Sequence, residues 1–363
     1  MFNERSIQVL KELSESFGPA GFEREAAQIV KRYVQTFSDE ISTDRLGSII
    51  FKKKGIYDAP KVLIAGHIDE VGFVISGIDK ETGFLTFNPL GGWSDQVLLS
   101  QRVTVRTAKG DVLGVIAAKP PHLLPEEEAS KVVKKENMFI DVGATSCEEA
   151  VRLGIRIGDA AVPWSPFTTV GQGKIAMGKG FDDRVGTFVA MEAIRGLKEK
   201  GINHPNTVYG VATVQEEVGL RGAATSAYIV EPDVAIVCEV DIAGDVPGIK
   251  PHEAPSRMGK GPSIMTFDAT MIPNQLLKNF VIETAENLHL PYQLSMISRG
   301  GTDAGRIHIT KGGCPSIVIS VPTRHIHSHV GLFSFEDAEN AVKLIDEILR
   351  RLDQETVKSF TSI

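Results

Sequence analysis

Cysteine is scarce in this sequence. The 363 residues include three cysteines, Cys147, Cys238 and Cys314, which lie far apart and are odd in number. A secreted scaffold held by disulfides would need a denser and paired set. The scarcity therefore favours unpaired thiols in a reducing compartment, and we expect a cytoplasmic protein.

Long apolar runs and an excess of positive charge are also absent. No apolar run approaches the roughly 20 residues of a membrane-spanning helix, and the first ten residues lack the pattern of a signal peptide. The formal net charge is −7, with acids and bases mixed along the chain, whereas nucleic-acid binding favours a basic surface. We therefore expect neither a membrane nor a nucleic acid as partner.

What is present is an ordinary globular composition, 42% hydrophobic and 23% charged. The pattern of hydrophobic and turn residues differs between two parts of the chain. Helical and strand-like patterns alternate over residues 1–70 and 166–363, which predicts an α/β domain with a sheet between layers of helices. From 71 to 165, short β-branched runs alternate with Gly and Asp turns instead. We expect this segment to form a small β domain inserted into the larger one.

Hydrophobic periodicity places the main elements of the larger domain. The last predicted helix has Ser334 at its N-cap position. The predicted helices cover 4–16, 22–36, 183–199, 219–229, 273–288 and 335–351, and the predicted strands 48–52, 61–66, 207–214, 234–240, 291–296 and 315–320.

Polar residues collect where predicted strands end. His67, Asp69 and Glu70 directly follow the apolar run 61–65. Because ligands of open α/β sheets bind beyond the carboxyl ends of strands, we expect residues in such places to form one site. The pattern recurs at Gln215-Glu216-Glu217 after strand 207–214, at Glu239 and Asp241 after 234–238, at Pro322 to Ser328 after 315–320, and at Gly180-Phe181-Asp182-Asp183-Arg184 before a helix.

The residue types in these segments indicate a metal site. Histidine and carboxylate are ligands suited to zinc, cobalt or manganese. Thiolate is absent apart from Cys238, which the strand alternation points away from Glu239. Carboxylate-rich histidine sites usually keep a position open for water, and the number of acids suggests two metal ions.

Simpler interpretations of single residues stay open at this point. Asp183 and Arg184 could form a surface ion pair at the start of a helix. Glu216 and Glu217 could both be solvated, since neighbouring strand residues point to opposite faces unless the chain turns. Gly219 would permit such a turn.

Six motifs, taken together and in order, resemble a known family: GHIDEVG, GKGFDDRVG, TVQEEVGLRGA, EVDIAGDVPG, GGTDAG and PTRHIHS. They make the sequence similar, nearly end to end, to the dinuclear-zinc aminopeptidases of the tetrahedral, glutamyl and deblocking type. The resemblance implies a three-layer α/β/α zinc-peptidase domain with an inserted β-barrel-like (PDZ-like) domain that serves oligomerisation and site access. It also implies dimers that assemble into a hollow dodecamer.

The resemblance assigns a role to each candidate residue. Glu216 would be the general base, and Asp69 would orient His67. The family usually has Asp at the position of Glu239. Asp241 is therefore an alternative ligand for the first ion, but we favour Glu239. The implied ligands of two divalent ions, zinc or otherwise cobalt or manganese, are His67, Asp182 (bridging), Glu217, Glu239 and His327.

A backbone feature is implied as well. Enzymes that this sequence resembles commonly have a cis peptide bond between the two aspartates of the bridging motif, here Asp182 and Asp183. The second aspartate would then point away from the metals and pair with a neighbour.

The implied function is removal of N-terminal residues from short peptides by a metal-activated water. Three alternatives remain: a deacylase or amidase acting on small N-acyl compounds, a glucanase, and a metal-dependent binding protein without catalysis. Adjacent glutamates suit a glycosidase poorly, because its carboxyl groups must flank the sugar. Arg299, Arg306 and Arg324 could favour acidic N-terminal residues or could pair with structural carboxylates.

Overall fold

The computed structural model describes residues 2–362, apart from the side chains of Glu128 and Ala129. Within that range, helices α1–α10 span Glu4–Glu15, Arg24–Val34, Glu126–Ala129, Cys147–Arg152, Phe181–Glu199, Arg221–Val230, Gln275–Asn287, Ala304–Ile307, Phe335–Arg351 and Gln354–Ser359. Strands β1–β17 span Glu40–Thr43, Ile49–Lys53, Lys61–His67, Gly72–Ile78, Leu85–Leu90, Arg102–Thr107, Gly110–Ala117, Phe139–Asp141, Ala160–Pro163, Thr168–Val170, Ile175–Gly178, Thr207–Thr213, Val234–Ile242, Ser263–Met265, Gln293–Ser295, Ser316–Arg324 and Gly331–Ser334.

A mixed sheet forms the centre of the protein. Its strand order is β1-β2-β12-β3-β13-β16-β17-β11-β10, and β14 and β15 add to it beside β16. The four central strands β12, β3, β13 and β16 are parallel to one another, whereas β2 and β17 pair antiparallel with them. Parallel strands need long crossover connections, and helices supply these here. The carboxyl ends of the four strands consequently lie along one edge of the sheet.

Helices cover both faces of this sheet. In β3, Val62 and Ile64 belong to the large apolar cluster that includes residues of α1, α2, α5 and α9. Leu63 and Ala65 belong to a second cluster, with residues of α6 and α8. Because successive strand residues point to opposite faces, a short apolar run can contribute to both layers. The predicted three-layer α/β/α architecture is confirmed.

The predicted helix limits lie within three residues of the observed ones. Helix α9 has buried apolar residues at helical spacing, among them Ala338, Ala341, Ile345 and Ile348. It begins directly after Ser334, as predicted, but the Ser334 side chain makes no capping hydrogen bond. The sequence therefore located the helix start correctly, although the expected cap is not what stabilises it.

Two strand ends differ from the sequence prediction. Strand β13 continues to Ile242, so Glu239 and Asp241 lie in the strand rather than beyond it. Strand β16 likewise continues through Arg324, because its last residues pair with Ile242 and with β17. Pairing with neighbouring strands, which sequence patterns do not reveal, extends both strands.

Six strands between Gly72 and Pro163 close into a separate antiparallel barrel in the order β4-β5-β8-β7-β6-β9. Its interior is apolar and includes Phe73, Val103 and Ile140. The β-branched runs in the sequence, at 71–78, 102–106, 112–117 and 138–142, correspond to β4, β6, β7 and β8, whereas β5 and β9 were not predicted. Each contains a proline, Pro89 or Pro163, and proline within a run argues against a strand when only the sequence is available.

The structure also bears on the sequence-based expectations for the cysteines and for membrane-spanning helices. All three cysteines are free, with Cys238 and Cys314 buried. Among the residues that the structure describes, no helix has the length and apolarity needed to cross a membrane.

Gly66 is the point at which β3 passes closest to α5. A Cβ atom on Gly66 would lie 2.4 Å from the backbone nitrogen of Thr187 and 2.7 Å from the carbonyl carbon of Gly186. Since backbone cannot move aside as a flexible side chain can, we expect Gly66→Ala to lower the free energy of unfolding by about 1–3 kcal/mol, measured by urea denaturation. Gly312→Ala is the control, because a Cβ there meets no atom within 4 Å. Equal losses in the two variants would contradict this account.

Candidate metal centre

The predicted site residues converge at the carboxyl edge of the four parallel strands. His67 is the last residue of β3, and Glu239 lies near the end of β13. Glu216 and Glu217 follow β12, and His327 follows β16. Asp182 reaches the same place from the start of α5, where it and the next residue have non-helical backbone angles. Each of the four parallel strands thus carries, at or just after its carboxyl end, at least one candidate site residue.

The Asp182 carboxylate lies between the two histidines. Its Oδ1 is 3.2 Å from Nε2 of His67, and its Oδ2 is 3.2 Å from Nε2 of His327. Around His67, Nε2 is 3.7 Å from Oε2 of Glu216 and 3.9 Å from Oε1 of Glu239. Around His327, Nε2 is 3.7 Å from Oε2 of Glu217. One carboxylate therefore faces two separate clusters of donor atoms.

Three donor sets have ligand atoms within 4.8 Å of one another: His67-Asp182-Glu239, Asp182-Glu217-His327 and His67-Glu216-Glu217. The first two share only Asp182, which is the arrangement expected for two ions and a bridging carboxylate. Their nitrogen and oxygen donors suit zinc and its neighbours in the first transition series. All five predicted ligands belong to these sets.

Both histidine rings are held so that Nε2 faces the donor atoms. Nδ1 of His67 is 3.1 Å from the carbonyl oxygen of Asp69, and Nδ1 of His327 is 2.7 Å from the carbonyl oxygen of Gly92. When Nδ1 donates to a carbonyl, the lone pair of Nε2 is free for a metal. In addition, Oε1 of Glu217 is buried and has no hydrogen-bond partner among the described residues. The residues present therefore fit metal ions.

The electrostatics of the site favour cations. Burial and the charge of Asp182 raise the pKa of Glu217 to about 8. Burial, followed by neighbouring carboxylates, also raises the pKa values of Glu216 and Glu239 well above the usual range. At Asp182 burial acts in the same direction, but hydrogen bonds to His327 and His67 outweigh it and lower the pKa. Divalent ions would relieve this crowding of buried negative charge.

Asp69 contacts both His67 and the segment that carries Glu216 and Glu217. Its Oδ1 is 3.5 Å from Nδ1 of His67, but its two oxygens also accept hydrogen bonds from the backbone N–H groups of Glu216 (3.0 Å) and Glu217 (3.1 Å). Asp69 therefore connects one candidate ligand with the segment that carries the candidate base. The predicted role of Asp69 remains a prediction, and the contacts extend it.

The peptide bond between Asp182 and Asp183 is cis, as predicted. Asp183 points away from the donor sets: its Oδ2 accepts from the backbone N–H of His67 (3.2 Å) and its Oδ1 from that of Gly186 (2.9 Å). Both Asp183 and Arg184 are fully buried. The alternative interpretation of these two residues as a surface ion pair is wrong, because neither is at the surface.

Asp241 is engaged elsewhere. Its Oδ2 accepts hydrogen bonds from the hydroxyl groups of Ser256 and, at 2.8 Å, Ser263. It belongs to none of the three donor sets found among the described residues. Glu239 is therefore the better candidate for the first ion, and its longer side chain reaches the site from within β13.

Sequence reasoning missed Gly92, whose carbonyl holds His327. Gly92 follows β5 of the barrel, and a Cβ atom there would lie 3.0 Å from Nδ1 of His327. The adjacent pair Gly91-Gly92 was the available signal, since glycine often marks a close approach of the backbone to another group.

A cavity of about 620 Å³ opens from the donor sets. Arg299 and Arg306 line it, and neither has an ion-pair partner among the described residues. Asp268 also lines it, but its carboxylate accepts hydrogen bonds from Thr270 and Thr302. The third arginine considered from the sequence makes a structural pair instead: Arg324 donates to both oxygens of Asp245 (2.6 and 3.1 Å).

A family comparison agrees with this geometry. Residues 47–344 match the model of the M42 glutamyl aminopeptidase family. The chain belongs to this family. M42 peptidases are metal-dependent, which accords with the donor sets.

Two curated relatives span nearly the whole M42 chain. The putative aminopeptidase FrvX of Escherichia coli (strain K12) is 40% identical over 358 residues, covering 98% of this chain and 98% of the relative. Lysyl aminopeptidase of Pyrococcus furiosus is 34% identical over 348 residues, covering 95% and 97%.

Solved structures of similar proteins share the complete fold. A TET aminopeptidase from the marine sediment archaeon Thaumarchaeota archaeon SCGC AB-539-E09 has a TM-score of 0.97 and 61% identity, covering 99% of both chains. The TET1 peptidase of Pyrococcus horikoshii has a TM-score of 0.85 and 32% identity, covering 96% of this chain and 100% of that one. That peptidase is described as assembling into a tetrahedron or a large octahedral shell.

Removing either histidine should lower metal binding by this M42 protein. We expect His67→Ala and His327→Ala each to weaken binding of one ion by more than about 100-fold, since even the loss of groups behind a ligand costs 10–100-fold. Metal content and calorimetric titration with zinc measure this. His308→Ala is the control, because its Nδ1 also contacts a carbonyl, that of Ala304, but lies outside the donor sets. Two full equivalents of tightly bound metal in His327→Ala would contradict the assignment.

Proposed function

We propose that this M42 protein removes N-terminal residues from short peptides with two divalent ions, most often zinc, otherwise cobalt or manganese. The observation that carries the proposal is the Asp182 carboxylate, with one oxygen 3.2 Å from each histidine Nε2. Two ions bound on either side of it would polarise the scissile carbonyl and lower the pKa of an attacking water.

Glu216 is the proposed general base. It lies beside His67 and lines the cavity, but it does not belong to the two donor sets that share Asp182. Its carboxylate accepts a proton from the water as the water oxygen attacks the carbonyl carbon. It then donates that proton to the peptide nitrogen as the C–N bond breaks, which releases the N-terminal amino acid and a shortened peptide.

Substituting Glu216 should separate catalysis from metal binding. We expect Glu216→Gln to lower kcat by about 10²–10⁴-fold, because an amide cannot accept the proton, while metal content stays near that of the wild type. Glu217→Gln is the matched comparison and should lose metal as well as activity. Both are measured on aminoacyl chromogenic substrates after metal removal and addition of zinc, cobalt or manganese. Near wild-type turnover by Glu216→Gln would remove it from this role.

The alternative functions have weaker support. A deacylase or amidase could use the same donor sets, and assays of N-acyl amino acids beside the peptide series distinguish it. For a glucanase, Glu217 would be needed as a metal ligand beside His327, whose Nε2 is 3.7 Å from its Oε2, so the two glutamates would not be a pair free to flank a sugar. A binding protein without catalysis would not need a base at Glu216.

We also propose that residues 71–165 form an inserted domain that contributes to self-assembly and site access. Residues 71–165 expose large apolar side chains, including Leu113, Ile157 and Trp164. The shells formed by the Pyrococcus horikoshii relative support a homo-oligomer, with a dodecamer as the expected form. A closed shell in the cytoplasm would admit short peptides and exclude folded proteins.

Acidic N-terminal residues are the proposed preference. Arg299 and Arg306, which have no ion-pair partner among the described residues, line the same cavity as the donor sets, and arginine binds carboxylates through paired hydrogen bonds. The existence of a lysyl aminopeptidase among the relatives means that family membership alone does not determine this preference.

Loss of these arginines should change selectivity rather than overall turnover. We expect Arg299→Ala and Arg306→Ala each to lower kcat/KM for a glutamyl substrate by about 10-fold or more, since a hydrogen bond to a charged group contributes about 1.5–3 kcal/mol. The leucyl substrate is the internal control and should change by less than about threefold. An unchanged ratio of glutamyl to leucyl activity in both variants would show that neither arginine selects the substrate.

A further inference from the structure

Three consecutive backbone N–H groups at the metal centre are bonded to carboxylates from distant parts of the chain. Asp69 accepts from Glu216 and Glu217, as described above. The group before them, the N–H of Gln215, donates to Oε1 of Glu23 at 3.0 Å, across 192 positions of sequence. Glu23 belongs to none of the donor sets found in the described residues and has no part in the mechanism above.

The segment needs these acceptors because the strand before it has ended. Strand β12 stops at Thr213, so the N–H groups that follow have no strand partner and require another. Gln215 has a φ of 56°, a left-handed conformation that costs about 1–2 kcal/mol for a residue other than glycine. This turn is what lets two adjacent glutamates, Glu216 and Glu217, reach one site. A carboxylate that binds the Gln215 N–H therefore stabilises the conformation on which both depend.

Glu23 is well placed to hold that turn. It is 6% exposed, and its Oε1 also accepts from the backbone N–H of Gly21 at 2.7 Å. It occupies the N-cap position of α2, yet its side chain makes no capping hydrogen bond there. A glutamate that served only to start the helix would use its carboxylate on α2. This one directs it to Gln215 instead.

The loop that carries Glu23 is itself anchored to the site. The backbone N–H of Glu70 donates to the carbonyl of Gly18 at 3.1 Å. The Arg184 guanidinium donates to the carbonyls of Ser16 (2.9 Å) and Gly18 (3.3 Å). Glu23 thus reaches Gln215 from a segment bonded to the end of β3 and to the start of α5.

We propose that Glu23 is a positioning residue: by accepting the Gln215 N–H, it fixes the turn from which Glu216 and Glu217 reach the metal centre. The effect on catalysis rests on the proposed function, whereas the effect on the backbone does not. Acceptance of hydrogen bonds, rather than negative charge, is what the geometry requires. Burial, and to a lesser degree the charge of Asp69, raise the pKa of Glu23 to about 7, so an uncharged amide is a close substitute.

The test compares Glu23→Gln, Glu23→Ala and Glu23→Asp in the full, metal-loaded protein. The Gln side chain keeps the accepting oxygen, Ala removes it, and Asp is one methylene too short to reach both N–H groups. We expect Gln to retain kcat within about threefold, and Ala and Asp to lower it at least 10-fold with KM changed less than about twofold, since small displacements of catalytic groups cost up to about 10²-fold. If the Ala variant does not fold, the Asp variant still tests the loss of the hydrogen bond to Gln215.

Amide hydrogen exchange supplies a readout independent of activity. In the metal-free and the metal-loaded protein, we expect peptides covering 214–218 to exchange at least 10-fold faster in Glu23→Ala, and at the wild-type rate in Glu23→Gln. Asp337→Ala is the matched control: Asp337 is as deeply buried and also accepts two distant backbone N–H groups, those of Gly259 and Gly261, away from the site. It should lower stability without changing kcat or the exchange of 214–218.

The outcomes are distinguishable. Wild-type exchange of 214–218 or wild-type kcat in folded Glu23→Ala or Glu23→Asp would overturn the proposal. A Gln variant as impaired as the Ala variant would also overturn it, because charge or packing would then be the relevant property. If the wild-type protein hydrolyses no aminoacyl substrate, the proposed function fails, and hydrogen exchange still decides the role of Glu23.

Discussion

Buried negative charge at one edge of the sheet is the constraint on which the rest of this structure depends. Glu216, Glu217 and Glu239 meet around Asp182 with little solvent contact. If they were all ionised with no cation between them, they would repel one another. Such a group of side chains is tolerable only with cations among them and hydrogen-bond donors around them. The parallel strands bring the carboxylates together, and the backbone N–H groups and histidines at the strand ends provide the surroundings that keep them there.

One arginine connects the surroundings of the site. Arg184 is fully buried, and its guanidinium donates to the carbonyl oxygens of Leu13, Ser14, Ser16, Gly18 and Ile68 and to Oε1 of Glu70. Burying a charge without such partners would be very costly. With them, a single side chain joins the loop between α1 and α2, the end of β3 and the start of α5. Lysine could not replace it, because an ammonium group lacks the planar set of five donors.

The sequence was most informative where chemistry is local. Strand ends followed at once by His67 or by Glu216 indicated both the sheet and the site, because apolar runs and polar residues are visible in a single stretch. The order of six motifs indicated the family and the cis bond after Asp182. Contacts between distant segments were not visible: the pair Gly91-Gly92 could indicate a close approach but not its partner His327, and nothing in the sequence around Glu23 indicated its contact with Gln215. These two contacts join segments that lie 192 and 235 positions apart in the chain.

Arg184 shows how a local interpretation can mislead. Next to Asp183, at the start of a helix, it has the appearance of one half of a surface ion pair. Only the fold reveals that five carbonyl groups and Glu70 surround it. The two prolines in β5 and β9 misled in the opposite direction, since a barrel strand tolerates proline where its N–H is not needed for pairing.

The contact between Gly92 and His327 has a consequence for how the protein is made. A carbonyl that follows a barrel strand holds a histidine that lies 235 positions later in the chain, and the proposed ligands extend from His67 to His327. A ribosome-bound chain could therefore not complete the two proposed donor sets until nearly all of it had emerged and both the barrel and the sheet had folded. Under the proposed function, a growing polypeptide with this sequence would have no protease activity before its synthesis is nearly finished.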